Sequence, residues 1–273
     1  MRATEFLGAM PRFSANLSFL YQELPFLDRL GAAAADGFRG VEYMSPYEFE
    51  LAEIKRRLRE HRLEQALFNL PVGDFAAGER GYASDPARVA EFRRGVESAR
   101  VAARELGCTR LNCLVGKAIP GLEPAKARAT LLENLRYAAE ALAREKVALV
   151  VEPLNRIETP GFLIGTSAEA FALIDEVATP NLALQYDIYH AQRAEGNILA
   201  TLRAQIGRIG HVQIADSPGR NEPGTGELAY ERILPALDEL GYAGWVGLEY
   251  KPLHATSDSF GWMQALKVSG GIA

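Results

Sequence analysis

Eight short apolar runs recur along this chain, and amphipathic stretches lie between them. The runs are RFSANL (12–17), GVEYM (40–44), EQALFN (64–69), RLNCLVG (110–116), ALVVE (148–152), LALQYD (182–187), IGHVQI (209–214) and WVGLEY (245–250). Each has the length of a strand and is apolar almost throughout, as strands buried on both faces of a parallel sheet must be. The stretches between them place apolar residues three and four apart, the spacing of one helix face. Examples are PFLDRLGAAAADG, EFELAEIKRRLREH, ARVAEFRRGVESARVAARELG, ATLLENLRYAAEALAREK and SAEAFALIDEV. Gly37 and Gly107 stop two of these helices, and Ser167, with Glu169 and Ala170 behind it, is expected to cap another. Parallel strands need a crossover connection, usually a helix. Eight such repeats without a linker predict a closed (β/α)8 TIM barrel, one domain over residues 1–273, with only the C-terminal SGGIA loose. An open doubly wound sheet is the alternative. It would carry a glycine-rich phosphate turn after its first strand, and FSANLSFLYQ has none.

Composition narrows the function. At 273 residues and 48% hydrophobic, the chain can bury one large core. The net charge of −5 and scattered Lys and Arg argue against a nucleic-acid partner. Cys108 and Cys113 lie close in sequence and form no disulfide framework, which points to a reducing, cytoplasmic setting. The opening MRATEFLGAMPRF lacks the pattern of a signal peptide, and no apolar run is long enough to cross a membrane.

The last four runs carry a carboxylate or amide at their final or penultimate position. They are Glu152 in ALVVEPLN, Asp187 in LALQYDIYH, Gln213 in IGHVQIAD and Glu249 in WVGLEYKP, spaced 35, 26 and 36 residues apart. Each interval is one strand–helix unit, so all four fall at the same end of successive strands. In a barrel that end is the mouth, where chemistry is done. Buried charge there needs a partner, and one divalent cation would serve all four. Residues two apart share a strand face, so His211 lies beside Gln213 and Lys251 beside Glu249. His211 is the nearest alternative ligand, although a hydrogen-bonding role suits it better.

The strings FSANLSFLY, VVEPLNRIETPGFLI, QYDIYHAQRAEGN, HVQIADSPGRNEPGTGELAY and GLEYKP resemble the hydroxypyruvate isomerase branch of the xylose isomerase-like barrels, over about residues 12 to 262. The resemblance implies that Glu152, Asp187, Gln213 and Glu249 bind a divalent metal, and that Glu152 and Glu249 are also the catalytic acid/base pair. Two Glu, one Asp and one amide oxygen form an all-oxygen set suited to Mg2+ or Mn2+, with no organic cofactor. The related ketose 3-epimerases usually carry His where this chain has Gln213, which favours the isomerase branch.

The resemblance further implies a small hydroxy-oxo acid as substrate. Hydroxypyruvate, converted to tartronate semialdehyde, is the first choice and a four-carbon 2-oxo-tetronate the second. The metal would polarise the carbonyl and stabilise the enediolate while the two carboxylates move a proton between adjacent carbons. Glu158 and His190 sit at offsets that contact substrate oxygens in the sugar epimerases. Arg220, in SPGRNEPG, is expected to clamp a substrate carboxylate bidentately, with Lys251 as a second candidate. The glycine-rich PGRNEPGTG is read as a shaped turn rather than a phosphate cradle. Relatives of this kind are often homodimers or tetramers. Competing readings are a ketose 3-epimerase, a polyol hydro-lyase and a sugar-acid binding barrel without turnover. A zinc endonuclease would need more histidine ligands than the four present, His61, His190, His211 and His254.

Overall fold

In the computed structural model, which describes residues 11–266, eight parallel strands hydrogen-bond in chain order and close on themselves. The strands are β1 (Arg12–Asn16), β2 (Gly40–Glu42), β3 (Glu64–Asn69), β4 (Arg110–Cys113), β5 (Ala148–Val151), β6 (Leu182–Asp187), β7 (Ile209–Ile214) and β8 (Trp245–Leu248). Between them run α1 (Phe26–Ala35), α2 (Leu51–His61), α3 (Val89–Leu106), α4 (Pro124–Ala143), α5 (Ser167–Val177), α6 (Ile188–Ala194), α7 (Ile198–Gln205) and α8 (Tyr230–Glu239), and α9 (Gly261–Ala265) follows β8. The fold is the expected (β/α)8 TIM barrel. The SGGIA segment lies outside the described residues.

All eight expected strands form. Several stop short of their apolar runs, β5 before Glu152 and β8 before Glu249. At the mouth the ladder ends and the chain turns outward, so these carboxylates stand just past the last paired residue. One expected cap moves. Thr166, not Ser167, caps α5, its hydroxyl accepting from Glu169 N at 3.2 Å, while Glu169 reaches back to Gly165 N at 2.6 Å. Ser167 is already helical and buried. Gly107 ends α3 with a left-handed φ of 68°, and Gly37 follows α1 with φ 92°.

The core lies between the barrel wall and the helices. It holds Phe13, Val41, Phe68, Leu111, Val151 and Val246 from the strands and Leu30, Ile54, Val96, Leu135 and Leu234 from the helices. Trp262 of α9 meets Phe13 edge-on at 5.6 Å, tying the last helix to the first strand. Cys108 and Cys113 are buried free thiols, pushed up to about 12 by burial.

The inside of the barrel is polar. Ser14, Asn16, Glu42, Asn112, Gln185, His211 and Gln213 are all buried. Gly247 makes room for this stack, because a Cβ there would lie 2.2 Å from Glu42 Oε1. Register sets the layers. Asn16 pairs with Glu42, Asp187 with Gln213, and Gln213 with Gly247.

Candidate active site

A cavity of about 500 Å3 opens at the C-terminal ends of the strands. Its walls differ in character. Glu152, Gln185, His190, Gln213, Arg220 and Glu249 form one side, and Tyr43, Met44, Leu67, Phe75, Arg80 and Leu114 contribute to the other. The residues singled out at strand ends therefore share one mouth, with Asp187 buried beside Gln213 as its ladder partner.

Glu42 anchors the acidic side from below. Fully buried, it accepts from Ser14 Oγ (2.7 Å), Asn16 Nδ2 (3.1 Å), His211 Nε2 (2.9 Å) and Gln213 Nε2 (2.8 Å). Burial pushes its carboxyl up, but His211 and the hydrogen bonds from His211, Gln213 and Ser14 outweigh burial and hold it below the ordinary range. A carboxylate only accepts. Gln213 must therefore turn its NH2 toward Glu42 and toward Glu249 Oε2 at 2.5 Å, which leaves Oε1 facing Gln185 Nε2 at 2.6 Å. His211 thus serves Glu42 as a hydrogen-bond donor.

Arg220 holds the upper end of Glu249. Its Nη2 lies 2.6 Å from Glu249 Oε1 and 3.5 Å from Asp187 Oδ2, and its Nη1 lies 3.8 Å from Glu158 Oε2. The guanidinium sits between the Phe19 and Tyr189 rings, and Tyr189 OH also donates to Glu158. Asp216 builds the turn that delivers it, accepting from the backbone N–H groups of Ser217, Gly224 and Leu228. Arg220 itself adopts φ 58°, and its carbonyl accepts from Lys251 N at 2.8 Å. The Lys251 side chain is exposed and does not line the cavity.

The protonation of His190 follows from its neighbours. Asn155 N donates to Nδ1 at 3.2 Å, and a backbone N–H cannot do otherwise. Asn155 Oδ1 accepts from Glu158 N, so its Nδ2 also points at Nδ1, at 2.7 Å. The proton must then sit on Nε2, which faces Asp187 Oδ2 at 3.7 Å. Burial, helped by the Arg220 charge, pushes His190 well below the usual imidazole range. It is a neutral N–H donor.

Potential metal-ligand atoms of Glu152, Asp187 and His190 lie within 4.8 Å of one another. For His190 Nε2 to join as a ligand, both Asn155 bonds would have to break. The oxygen donors fit a cation better. Among the described residues Asp187 Oδ2 is buried without a hydrogen-bond partner, and Glu152 accepts from Asn112 Nδ2 at 2.9 Å with the Gln185 amide also beside it. Their titration shows the same need. Burial and then the Asp187 charge push Glu152 up to about 8, and burial also raises Asp187 and Glu249, against Arg220.

A pH dependence follows. Between its ordinary 4.5 and about 8, folded Glu152 keeps a proton that the unfolded chain releases. Its stabilising contribution is complete at low pH and is lost as pH rises through about 8. Calorimetry in chelator should show the melting temperature falling between about pH 5 and about pH 8, and falling less in Glu152→Gln. Equal slopes would place the titrating group elsewhere.

The sequence reading missed Glu42, Asn16, Asn112, Gln185 and Asn155. Glu42 carried the same signal that exposed Glu152, a lone charge in an apolar run. The amides carried none.

Comparison with known proteins places this arrangement. The model of the "Xylose isomerase-like TIM barrel" family matches residues 30–266. Hydroxypyruvate isomerase of Escherichia coli (strain K12) is 50% identical over 254 residues, covering 93% of this chain and 98% of that protein. The 2-oxo-tetronate isomerase of Cupriavidus necator is 46% identical over 255 residues, again covering 93% and 98%. Among solved structures, one described as AP endonuclease, family 2 from Brucella melitensis superposes with a TM-score of 0.91 at 44% identity, covering 94% of this chain and 99% of that one. A D-allulose 3-epimerase from Methylomonas sp. shares the fold, with a TM-score of 0.74 at 23% identity over 97% and 92% of the two chains.

Proposed function

This chain belongs to the xylose isomerase-like TIM barrel family and is an isomerase, and on that footing we propose that it interconverts small hydroxy-oxo acids with the help of a divalent metal. Hydroxypyruvate to tartronate semialdehyde is the first reaction, and isomerisation of a four-carbon 2-oxo-tetronate the second. The relatives at 50% and 46% identity carry those two names.

The single observation that carries the metal reading is the buried Asp187 Oδ2 beside Glu152, which accepts no hydrogen bond among the described residues. Glu152, Asp187 and Glu249 would hold the ion, joined by Gln213 once its Oε1 turns from Gln185, and their oxygen chemistry suits Mg2+ or Mn2+. Bound there, it would supply Lewis-acid polarisation of the substrate carbonyl. Glu152 and Glu249 serve as acid and base. One takes a proton from C3 of hydroxypyruvate, the other returns one to C2, and the hydroxyl proton passes from the C3 oxygen to the C2 oxygen. His190 donates its Nε2–H to the oxygen that gains negative charge. Glu158 and Arg220 complete the contacts to the substrate oxygens, and Arg220 keeps Glu249 oriented.

The test is turnover. After chelator treatment and dialysis, Mn2+ or Mg2+ should restore isomerisation of hydroxypyruvate or a 2-oxo-tetronate, read by proton NMR of the products. Full activity in chelator would remove the metal from the reading. Activity confined to neutral ketoses would move the chain to the epimerases.

A further inference from the structure

The reading above requires a partner for the substrate's carboxylate, and the mouth contains one that no motif suggested. Arg220 is occupied by Glu249, Asp187 and Glu158. Arg88 is held by Glu79 and Glu91. Arg80 lines the cavity and has no acidic partner among the described residues. Its Nη1 donates to two backbone carbonyls, Phe75 O at 3.1 Å and Glu79 O at 2.7 Å, and its guanidinium stacks 3.6 Å over the Phe75 ring. Among the described residues Nε and Nη2 make no hydrogen bond, and neither is closed off from solvent.

The segment that presents Arg80 is built to hold it. Residues 70–85 run from the end of β3 to a short 3-10 turn at Pro86–Arg88. Asp74 and Glu79 lock the tip, with Asp74 N donating to Glu79 Oε2 at 2.6 Å and Ala77 N to Asp74 Oδ1 at 2.9 Å. Lys117 Nζ pins Gly78 O at 2.8 Å. Gly81, at φ 87°, lies so close to β4 that a Cβ would fall 1.7 Å from Leu114 O. Arg80 therefore stands at a fixed place across the cavity from the carboxylates.

We propose that Arg80 binds the substrate's carboxylate and sets the preference for acids over neutral sugars. The assignment rests on the hydroxy-oxo acid reading and deepens it. Such a substrate carries its hydroxyl and oxo oxygens at one end and an anion at the other. The site has matching ends, with proton-transfer groups and Arg220 on one wall and an unpaired cation stacked on an aromatic ring opposite. An anion turned toward Glu152 and Glu249 would meet like charge, and turned toward Arg80 it meets a planar donor pair that fits a carboxylate.

The test uses the Mn2+-loaded enzyme and two unreactive ligands of similar shape, glycerate and its neutral amide, with binding read by calorimetry. Arg80→Met should weaken glycerate about ten- to a hundredfold, the worth of a charge-assisted pair, and leave glyceramide unchanged. Arg80→Lys should recover part of the loss. For hydroxypyruvate, KM should rise by a similar factor with kcat nearly constant. Equal weakening of both ligands would mean that Arg80 only shapes its loop, and an unchanged preference for glycerate would mean that another group binds the carboxylate. Either result overturns the assignment. Arg80-dependent glycerate binding without turnover of any hydroxy-oxo acid would instead retain this assignment and discard the proposed reaction.

Discussion

Glu152→Gln is expected to leave the barrel folded and to lower turnover about a hundred- to ten-thousandfold, the usual worth of a positioned acid or base. The substitution is well accommodated locally. Glu152 accepts from Asn112 Nδ2, and Asn112 Oδ1 has no partner, so the Asn112 amide can rotate to receive the new NH2. An amide keeps one oxygen for a cation but cannot take up the proton. Glu249→Gln should lose as much turnover and also disturb its neighbours. Glu249 faces three donors, Asn16, Gln213 and Arg220, and an amide can accept at only one of its two atoms. Steady-state rates at saturating Mn2+, beside thermal melts, check both variants. Near wild-type rates in both would show that neither carboxylate moves the proton.

Removing His211 is expected to have the largest effect on stability. Glu42 is an anion with no solvent contact, and His211 is one of four donors that hold it. Taking one hydrogen-bond donor from a buried charge typically costs about 1.5–3 kcal/mol, which in a chain of this size lowers the melting temperature by roughly 3–12 °C. His211→Leu should show that fall by calorimetry. Gly247→Ala should approach it by a different route, since its methyl group would displace the same carboxylate. Activity should fall with stability in both, because Glu42 orients Gln213 and Asn16, and both bond Glu249. If His211→Leu melted like wild type, Glu42 would have to be protonated in the folded state.

How much could be read from the chain alone depended on the kind of signal. The eight strands were legible because a doubly covered parallel strand tolerates almost no polar residue, so each run was conspicuous. Glu152, Asp187 and Glu249 were conspicuous for the same reason, as charges in apolar settings. The interior amides were not. Asn112 in RLNCLVG and Gln185 in LALQYD are neutral, so neither stands out in an apolar run as a charge does. Arg80 and Asn155 lie in loops, where polar residues are ordinary and only the folded chain shows which way they face. The cap of α5 went to Thr166 rather than Ser167 because either hydroxyl suits the role, and backbone geometry decided between them.

The loop of residues 70–85 belongs to no strand or α-helix, yet it brings Phe75 and Arg80 to the cavity that Glu152 and Glu249 also line. If Arg80 binds the substrate's carboxylate, and Glu152 and Glu249 move the proton, chemistry and selectivity are carried on separable parts of the molecule. A change of one residue in that loop's length or tip would then move a cation relative to those two carboxylates. Three-carbon and four-carbon acids differ by about that much reach. The barrel could be retuned from one acid to the other without disturbing a single strand.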